Sequence, residues 1–413
     1  MKVLFVFSIG FDIEHSSTIL MNNVLEDVIK KGIKVHYIVP NETGSEKNCP
    51  ETLKSAKHLS YDVIKRTPPR KHQMVKRYFE GILYALKTAR YIYREKDYDV
   101  IYVQSTPTAF WNILICKVFG HRKPIIYSVL DMFPGSTIAS GAMKHKLLQN
   151  IFYRIQRVAY NMSTHIMALS EDMKRKINEQ GVPEDKITYF NTWFDNSSLN
   201  YVNDQNNSFI KEFNMNKKEV FYVQYAGNIG YVFDVDMFIN IAYKLKTEKN
   251  IVFQLVARGS QLDYIKERMS ERKLDIIEIL PIQPVNRINE VYSACDIQFI
   301  PLKKDVLGNS FPSKLAHVMH CKKTFVCATD QNTAFFNIAN SKKIGKCISI
   351  KKDDEIAEAI LSFYKSKKEL LIYCENAFKF SPFLMSFVPS FVTPIGVHSV
   401  GRVIVFTSSE KMK

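Results

Sequence analysis

VFYVQYAGNIGYVFDVDMFINIAYKL, residues 220–245, runs from a strand through a glycine loop into a helix. Val220 to Tyr225 is a continuous apolar run of the length a buried parallel strand takes. Gly227 and Gly230 interrupt it, and from Val235 to Leu245 apolar residues recur at helical spacing. Strand, loop and helix in this order open a doubly wound sheet. Glycine lets backbone approach a ligand closely, and a new helix N-terminus offers unpaired N–H groups to an anion. A second such loop, Gly308-Asn309-Ser310-Phe311-Pro312-Ser313-Lys314, follows the strand Ile297 to Pro301. Two such loops in one α/β domain suggest a phosphate-bearing ligand, such as a nucleotide-sugar.

The same alternation runs through the chain. Val3 to Ile9 reads as a strand, Thr18 to Lys31 as a helix ended by Gly32, and Val35 to Val39 as the next strand. Strands at 100–104, 124–129, 165–169 and 187–190 alternate with helices at 109–118, 145–160 and 171–179. After 220–245 come strands at 251–256, 276–280, 297–301 and 324–328. Helices are expected at 261–271, 288–294, 313–320 and 354–365. The reading is α/β, with two Rossmann-like doubly wound domains facing each other. Residues 1–195 form the first and 219–380 the second, joined by a polar linker at 196–218. Residues 381–413 lose asparagine and helical periodicity abruptly and gain Pro382, Pro389 and Pro394. They read as an atypical tail, such as a frameshift would produce.

The chain has 413 residues, 46% of them apolar, enough to bury sizeable cores. Its net charge of +16 fits an anionic substrate, an anionic membrane or nucleic acid, and equally a lysine-rich solvated surface. No nucleic-acid recognition motif is present, so nucleic acid is not an expected partner. Seven cysteines, with no C-x-x-C pair, argue against a disulfide framework or a zinc site. No signal peptide is read at the N-terminus, and no stretch up to residue 380 reaches the roughly 20 apolar residues of a membrane span. These features point to the cytoplasm or a membrane surface.

Several residues suit chemistry at strand ends, where open α/β sheets bind ligands. Ser313 suits an N-cap and Lys314 the first turn of its helix, an anion site able to hold a diphosphate. Arg258-Gly259 ends the strand after the first loop, and Arg258 is either a phosphate contact or a surface arginine. Asp234 and Asp236 are either a metal pair or acids favouring a helix dipole; the second reading is stronger, and no metal site is expected. Asp131 lies just past a strand end, where it could orient a hydroxyl, assist proton transfer or close a turn. His15 and Gln104 occupy comparable crevice positions. Lys65, Arg66, Arg70, Lys71, His72, Lys76 and Arg77 form a basic cluster beside Tyr78 and Phe79. That mixture suits an anionic bilayer, a nucleic-acid groove or a solvated loop. The first turn, Ser8 to Ser17, lacks the three-glycine fingerprint of sugar-nucleotide epimerases and dehydrogenases.

The stretches YSVLDMFPGS at 127–136, LSEDMKRKI at 169–177, YAGNIGYV at 225–232, SACDIQFIPLK at 293–303 and GNSFPSKL at 308–315 carry a resemblance. In this order they resemble the GT-B glycosyltransferases of family 4, and are most similar to bacterial L-fucosamine-type transferases of O-antigen and capsule assembly. The resemblance implies a retaining transfer, without a bound metal or cofactor, from a UDP-linked nucleotide-sugar to a lipid-linked or glycan acceptor. Donor contacts would come from Gly227, Asn228, Gly230, Arg258, Gly259, Asn309, Ser313, Lys314 and His317. Lys314 would stabilise the leaving diphosphate and Asp131 would serve the acceptor side. Arg66, Arg70, Lys71, Lys76 and Arg77 would face the inner surface of the plasma membrane. The family pattern carries glutamates where Asn309 and His317 stand, an arginine where Asn228 stands, and Gly-Lys-Pro where Lys322-Lys323-Thr324 stands. The resemblance therefore also leaves room for a catalytically impaired protein that acts as a binding partner.

Overall fold

The computed structural model describes residues 1–13, 16–67, 74–189, 200–310, 312 and 314–385. The chain divides into two compact units, each built on one parallel sheet.

The first half of the chain runs β1 (Lys2–Val6), α1 (Ser16–Lys30), β2 (Lys34–Asn41), β3 (Leu59–Lys65), α2 (Met74–Arg94), β4 (Val100–Gln104), α3 (Ala109–Phe119), β5 (Ile125–Val129), α4 (Gly135–Ala139), α5 (Lys146–Met162), β6 (His165–Ala168), α6 (Glu171–Glu179) and β7 (Ile187–Tyr189), all of the first unit except the stretch Ser136–Lys144, which groups with the second. Its sheet order is β3-β2-β1-β4-β5-β6-β7. Strands β1, β4 and β5 are buried almost throughout, which is why they read as unbroken apolar runs. Gly32, at φ +74°, closes the turn after α1 as expected of a C-cap glycine.

The second unit runs α7 (Ser208–Glu212), β8 (Phe221–Asn228), α8 (Val235–Lys244), β9 (Ile251–Arg258), α9 (Leu262–Arg272), β10 (Ile277–Pro281), α10 (Ile288–Ala294), β11 (Ile297–Pro301), α11 (Lys314–His320), β12 (Thr324–Thr329), α12 (Ala334–Ser341), β13 (Lys346–Ser349), α13 (Asp353–Lys365) and α14 (Lys367–Met385). Its sheet order is β10-β9-β8-β11-β12-β13. Both sheets change winding direction between their first strand and the strand added on the other side, β1/β4 and β8/β11. That crevice is where doubly wound sheets bind ligands. A core centred on Phe238, Phe253, Phe299 and Ile360 packs α8 and α13 on one face of the second sheet. Phe209 and Ile210 of α7 pack with Tyr292 and Val318 in a smaller core.

Six elements go beyond the sequence reading: β3, α2, α4, α12, β13 and α14. The basic cluster is accordingly not one loop. Lys65 ends β3, Lys76 and Arg77 lie in the first turns of α2, and Arg70, Lys71 and His72 lie outside the described residues. The expected break at residue 381 is also displaced, because α14 continues to Met385 with Pro382 inside it. Proline has no N–H to give the Phe378 carbonyl. The Ser381 hydroxyl donates to that carbonyl instead, at 2.8 Å. The rest of the tail lies outside the described residues. All seven cysteines are free thiols; six are buried and Cys374 is partly open. Among the described residues no helix is long and apolar enough to cross a membrane, and no cluster of His, Cys, Asp and Glu is placed to hold a metal ion.

Candidate donor and acceptor sites

In the second unit, β8 and β11 share only two register pairs, Val223 with Ile297 and Gln224 with Gln298. Past them the strands part, while β8 stays paired with β9 as far as Asn228 opposite Arg258. Lys314, in the first turn of α11, reaches into this gap. Its Nζ donates to the Ala226 carbonyl at 3.0 Å and lies 3.5 Å from the centre of the Tyr225 ring. A Cβ at Gly227 would come within 3.0 Å of that Nζ, and Gly227 has φ +136°. The two glycine loops, distant in sequence, thus meet at one ammonium group. Burial draws the Lys314 pKa down to about 7, although the residue as a whole keeps some access to solvent. An anion entering beside it would restore its charge.

Gly259 holds the other wall. Its φ is +151°, and a Cβ there would lie 2.2 Å from the Ile229 carbonyl oxygen. The Ile229 N–H donates to the Arg258 carbonyl at 2.7 Å, so the loop is pinned to the end of β9. The Tyr225 hydroxyl donates to the Asn228 carbonyl, and Gln261 Nε2 donates to the carbonyls of Gly230 and Phe233. Sequence reasoning missed Gln261, whose position in the first turns after Gly259 was the available signal. Arg258 is exposed beside this loop, with no ion pair among the described residues.

Asn309 is buried, and its Nδ2 donates to the Asp305 carbonyl at 2.6 Å. The side chain therefore shapes its own loop. His317 lies one turn after Lys314 on α11, its ring 6.2 Å from that of Tyr292. Ser313 lies outside the described residues. Asp234 caps α8 by accepting the Met237 N–H at 3.0 Å, and Asp236, in the first turn of α8, accepts from the Tyr264 hydroxyl. The dipole reading of these acids holds.

In the first unit, Asp131 follows β5 and is exposed. The Ser105 hydroxyl oxygen, at the end of β4, accepts the N–H groups of Leu130 (2.8 Å) and Asp131 (3.2 Å). Surrounding protein pushes the Asp131 carboxyl up, to about 6. Solvent exposure of the residue opposes that shift. Gln104 is buried, and His15 lies outside the described residues. Arg66 turns inward: its Nη1 donates to the Ser8 carbonyl at 3.2 Å and pairs with Glu42 at 3.5 Å. It therefore adds nothing to an exposed basic surface, whereas Lys76 and Arg77 are exposed.

The model of Glycosyltransferase Family 4 matches residues 20–197, and that of Glycosyl transferases group 1 matches residues 204–380. The chain belongs to the GT-B glycosyltransferases. Solved structures agree on the architecture. HepE from Anabaena, in complex with UDP-glucose, is 15% identical to this transferase with a TM-score of 0.66, covering 92% of this chain and 94% of its own. A sucrose-phosphate synthase from Thermosynechococcus elongatus is 10% identical with a TM-score of 0.69, covering 93% and 94%. WaaG, a glycosyltransferase involved in lipopolysaccharide biosynthesis, is 11% identical with a TM-score of 0.63, covering 92% and 95%. No curated protein matches the sequence.

Proposed function

We propose that this transferase moves a sugar, with retention, from a UDP-linked donor to a lipid-linked or glycan acceptor during assembly of a bacterial surface polysaccharide. The observation that carries the donor half is Lys314 beside the Ala226–Gly227 backbone. A lysine held over an open glycine loop favours a diphosphate, and the complex of HepE with UDP-glucose supports that class of ligand. In the transfer, the bond from the anomeric carbon to the diphosphate oxygen breaks, and Lys314 and Arg258 neutralise the charge left on UDP. The acceptor oxygen bonds to the same face of that carbon, and its proton leaves with the phosphate; Asp131, on the first unit, serves acceptor binding. L-Fucosamine-type O-antigen and capsule transferases are the group its motifs resemble, and the lipopolysaccharide role of WaaG points the same way.

A peripheral position on the inner membrane face is part of this reading, and the helices of the first unit support it. Val75, Phe79, Leu83 and Leu86 share one face of α2 and are all more than half exposed, at 73, 60, 51 and 53%. Lys76, Lys87 and Arg90 flank them. On α5, Leu147, Ile151 and Val158 are likewise exposed, with Lys146, Arg154 and Arg157. The two helices touch through the rings of Tyr78 and Phe152. Apolar stripes bordered by cations suit an anionic interface, where each basic residue contributes roughly 1 kcal/mol.

The test is thermal stability against a panel of nucleotides and nucleotide-sugars. A ligand at 100 times its dissociation constant adds about 2.7 kcal/mol. A shift with one UDP-sugar names the donor to assay with a lipid-diphosphate acceptor; a folded sample indifferent to the whole panel defeats the proposal. A second reading, a binding protein without turnover, is favoured by Asn309, whose amide is committed within its own loop where the family carries a glutamate. It requires nucleotide stabilisation without product.

A further inference from the structure

A row of polar side chains crosses the second sheet. Gln298 on β11, Gln224 on β8, Gln254 on β9 and Glu278 on β10 stand in register. The three glutamines are fully buried and Glu278 is half-buried. Gln254 Nε2 donates to Glu278 Oε2 at 3.0 Å, Gln224 Nε2 to Gln254 Oε1 at 2.8 Å, and Gln298 Nε2 to Gln224 Oε1 at 2.6 Å. Gln298 Oε1 then accepts the backbone N–H of Ala226 at 3.3 Å. Both ends impose one direction. A carboxylate can only accept and a backbone N–H can only donate, so the three amides between them are oriented by those ends. Such a row is costly in a core unless every member is satisfied, and a satisfied row holds its members rigidly.

The row ends where the two strands part. Ala226 lies beyond the last β8–β11 register pair, and side chains take both its polar groups: Gln298 accepts its N–H and Lys314 donates to its carbonyl. We infer that Gln298 is a positioning residue for Lys314, fixing through Ala226 the carbonyl on which the ammonium rests, with Glu278 setting the amide direction from the far edge of the sheet. The functional weight of this role rests on the reading of Lys314 as the donor-site cation.

The experiment is NMR of the full chain carrying carbon-13 at lysine Cε. Lys314 lies over the Tyr225 ring, so ring current separates its resonance from those of solvent lysines, and loss of the signal in Lys314→Arg identifies it. Gln298→Met keeps the volume and removes the acceptor. It is expected to move the Lys314 resonance to the solvent-lysine position and to weaken UDP binding about tenfold. A folded Gln298→Met whose Lys314 resonance stays in place overturns the inference, since a merely structural glutamine would change stability alone. Where that variant does not fold, Glu278→Lys decides at a half-exposed position on the edge strand. A donor in place of the acceptor turns the amides and sets an NH2 group of Gln298 against the Ala226 N–H. The resonance then moves if the inference holds and stays if it is wrong. Titrating UDP into the unaltered protein tests the donor reading separately: a Lys314 resonance indifferent to UDP removes that assignment and leaves the positioning role standing.

Discussion

Lys314 meets two opposed demands. Burial favours the neutral amine, whereas the Ala226 carbonyl, the face of the Tyr225 ring and a diphosphate favour the ammonium. In an unfolded chain a lysine titrates at about 10.4. In the fold, burial brings Lys314 down to about 7. Between these values the unfolded chain binds more protons, so stability rises with pH across the window and the penalty stands in full below it. A bound diphosphate draws the proton back. Calorimetric titration with UDP at about pH 8, in buffers of different ionisation heat, should therefore show net proton uptake, and Lys314→Met should abolish it. Gly259 makes a different demand, on space. Gly259→Ala places a methyl group against the Ile229 backbone at a φ that side chains avoid, and should lower stability by about 3 kcal/mol in denaturant unfolding. Both residues stood out in the sequence, as a glycine at a strand end and a lysine at the start of a helix after a glycine-bearing loop. Arg66 was not. One ionic partner, Glu42, lies far from it in sequence, and composition gives no sign that a guanidinium in a basic run turns inward.

Among the elements, legibility followed the cleanness of the apolar pattern. β5 and β11 are buried on both faces and α6 has one apolar stripe under a Ser170 cap, so their limits fell within a residue or so of those read from sequence. α2 has apolar residues on its buried side, such as Tyr84, Ala85 and Ile92, and on its exposed side. Two overlapping stripes blur the helical period, and the helix went unread. The same exposed stripe supplies the prediction here. The double substitution Phe79→Glu and Leu83→Glu removes apolar contact and adds two negative charges on an exposed face. Affinity for anionic vesicles in co-sedimentation should fall about a hundredfold, by roughly 3 kcal/mol of lost contact and charge attraction. Thermal stability should stay within about 0.5 kcal/mol, as for surface substitutions generally. Retained sedimentation would move the membrane contact elsewhere. α14 was hidden for another reason. Pro382 and the loss of asparagine announced a break, but the Ser381 hydroxyl repairs the one carbonyl that the proline leaves unpaired.

At the level of the whole molecule, the doubly wound class was readable because strand and helix periods alternate through both units. Sheet order is set by pairing across long sequence separations, which no local pattern carries. The second unit has its own two cores, and α14 packs through Phe363–Tyr373 and His320–Phe378 ring contacts within it. We expect a fragment of residues 200–385 to fold alone and to bind UDP with the affinity of the full chain, measured by calorimetry. A fragment that unfolds, or binds more than tenfold more weakly, would show that the first unit completes the nucleotide site. The cysteines offer a way to watch each unit open. Cys49 and Cys116 are shielded in the first; Cys295, Cys321, Cys327 and Cys347 are shielded in the second. A thiol reagent should mark Cys374 first and the others only as their surroundings come apart. Mass spectrometry of the labelled peptides would then time the two halves of the enzyme separately, with probes that the native chain already carries.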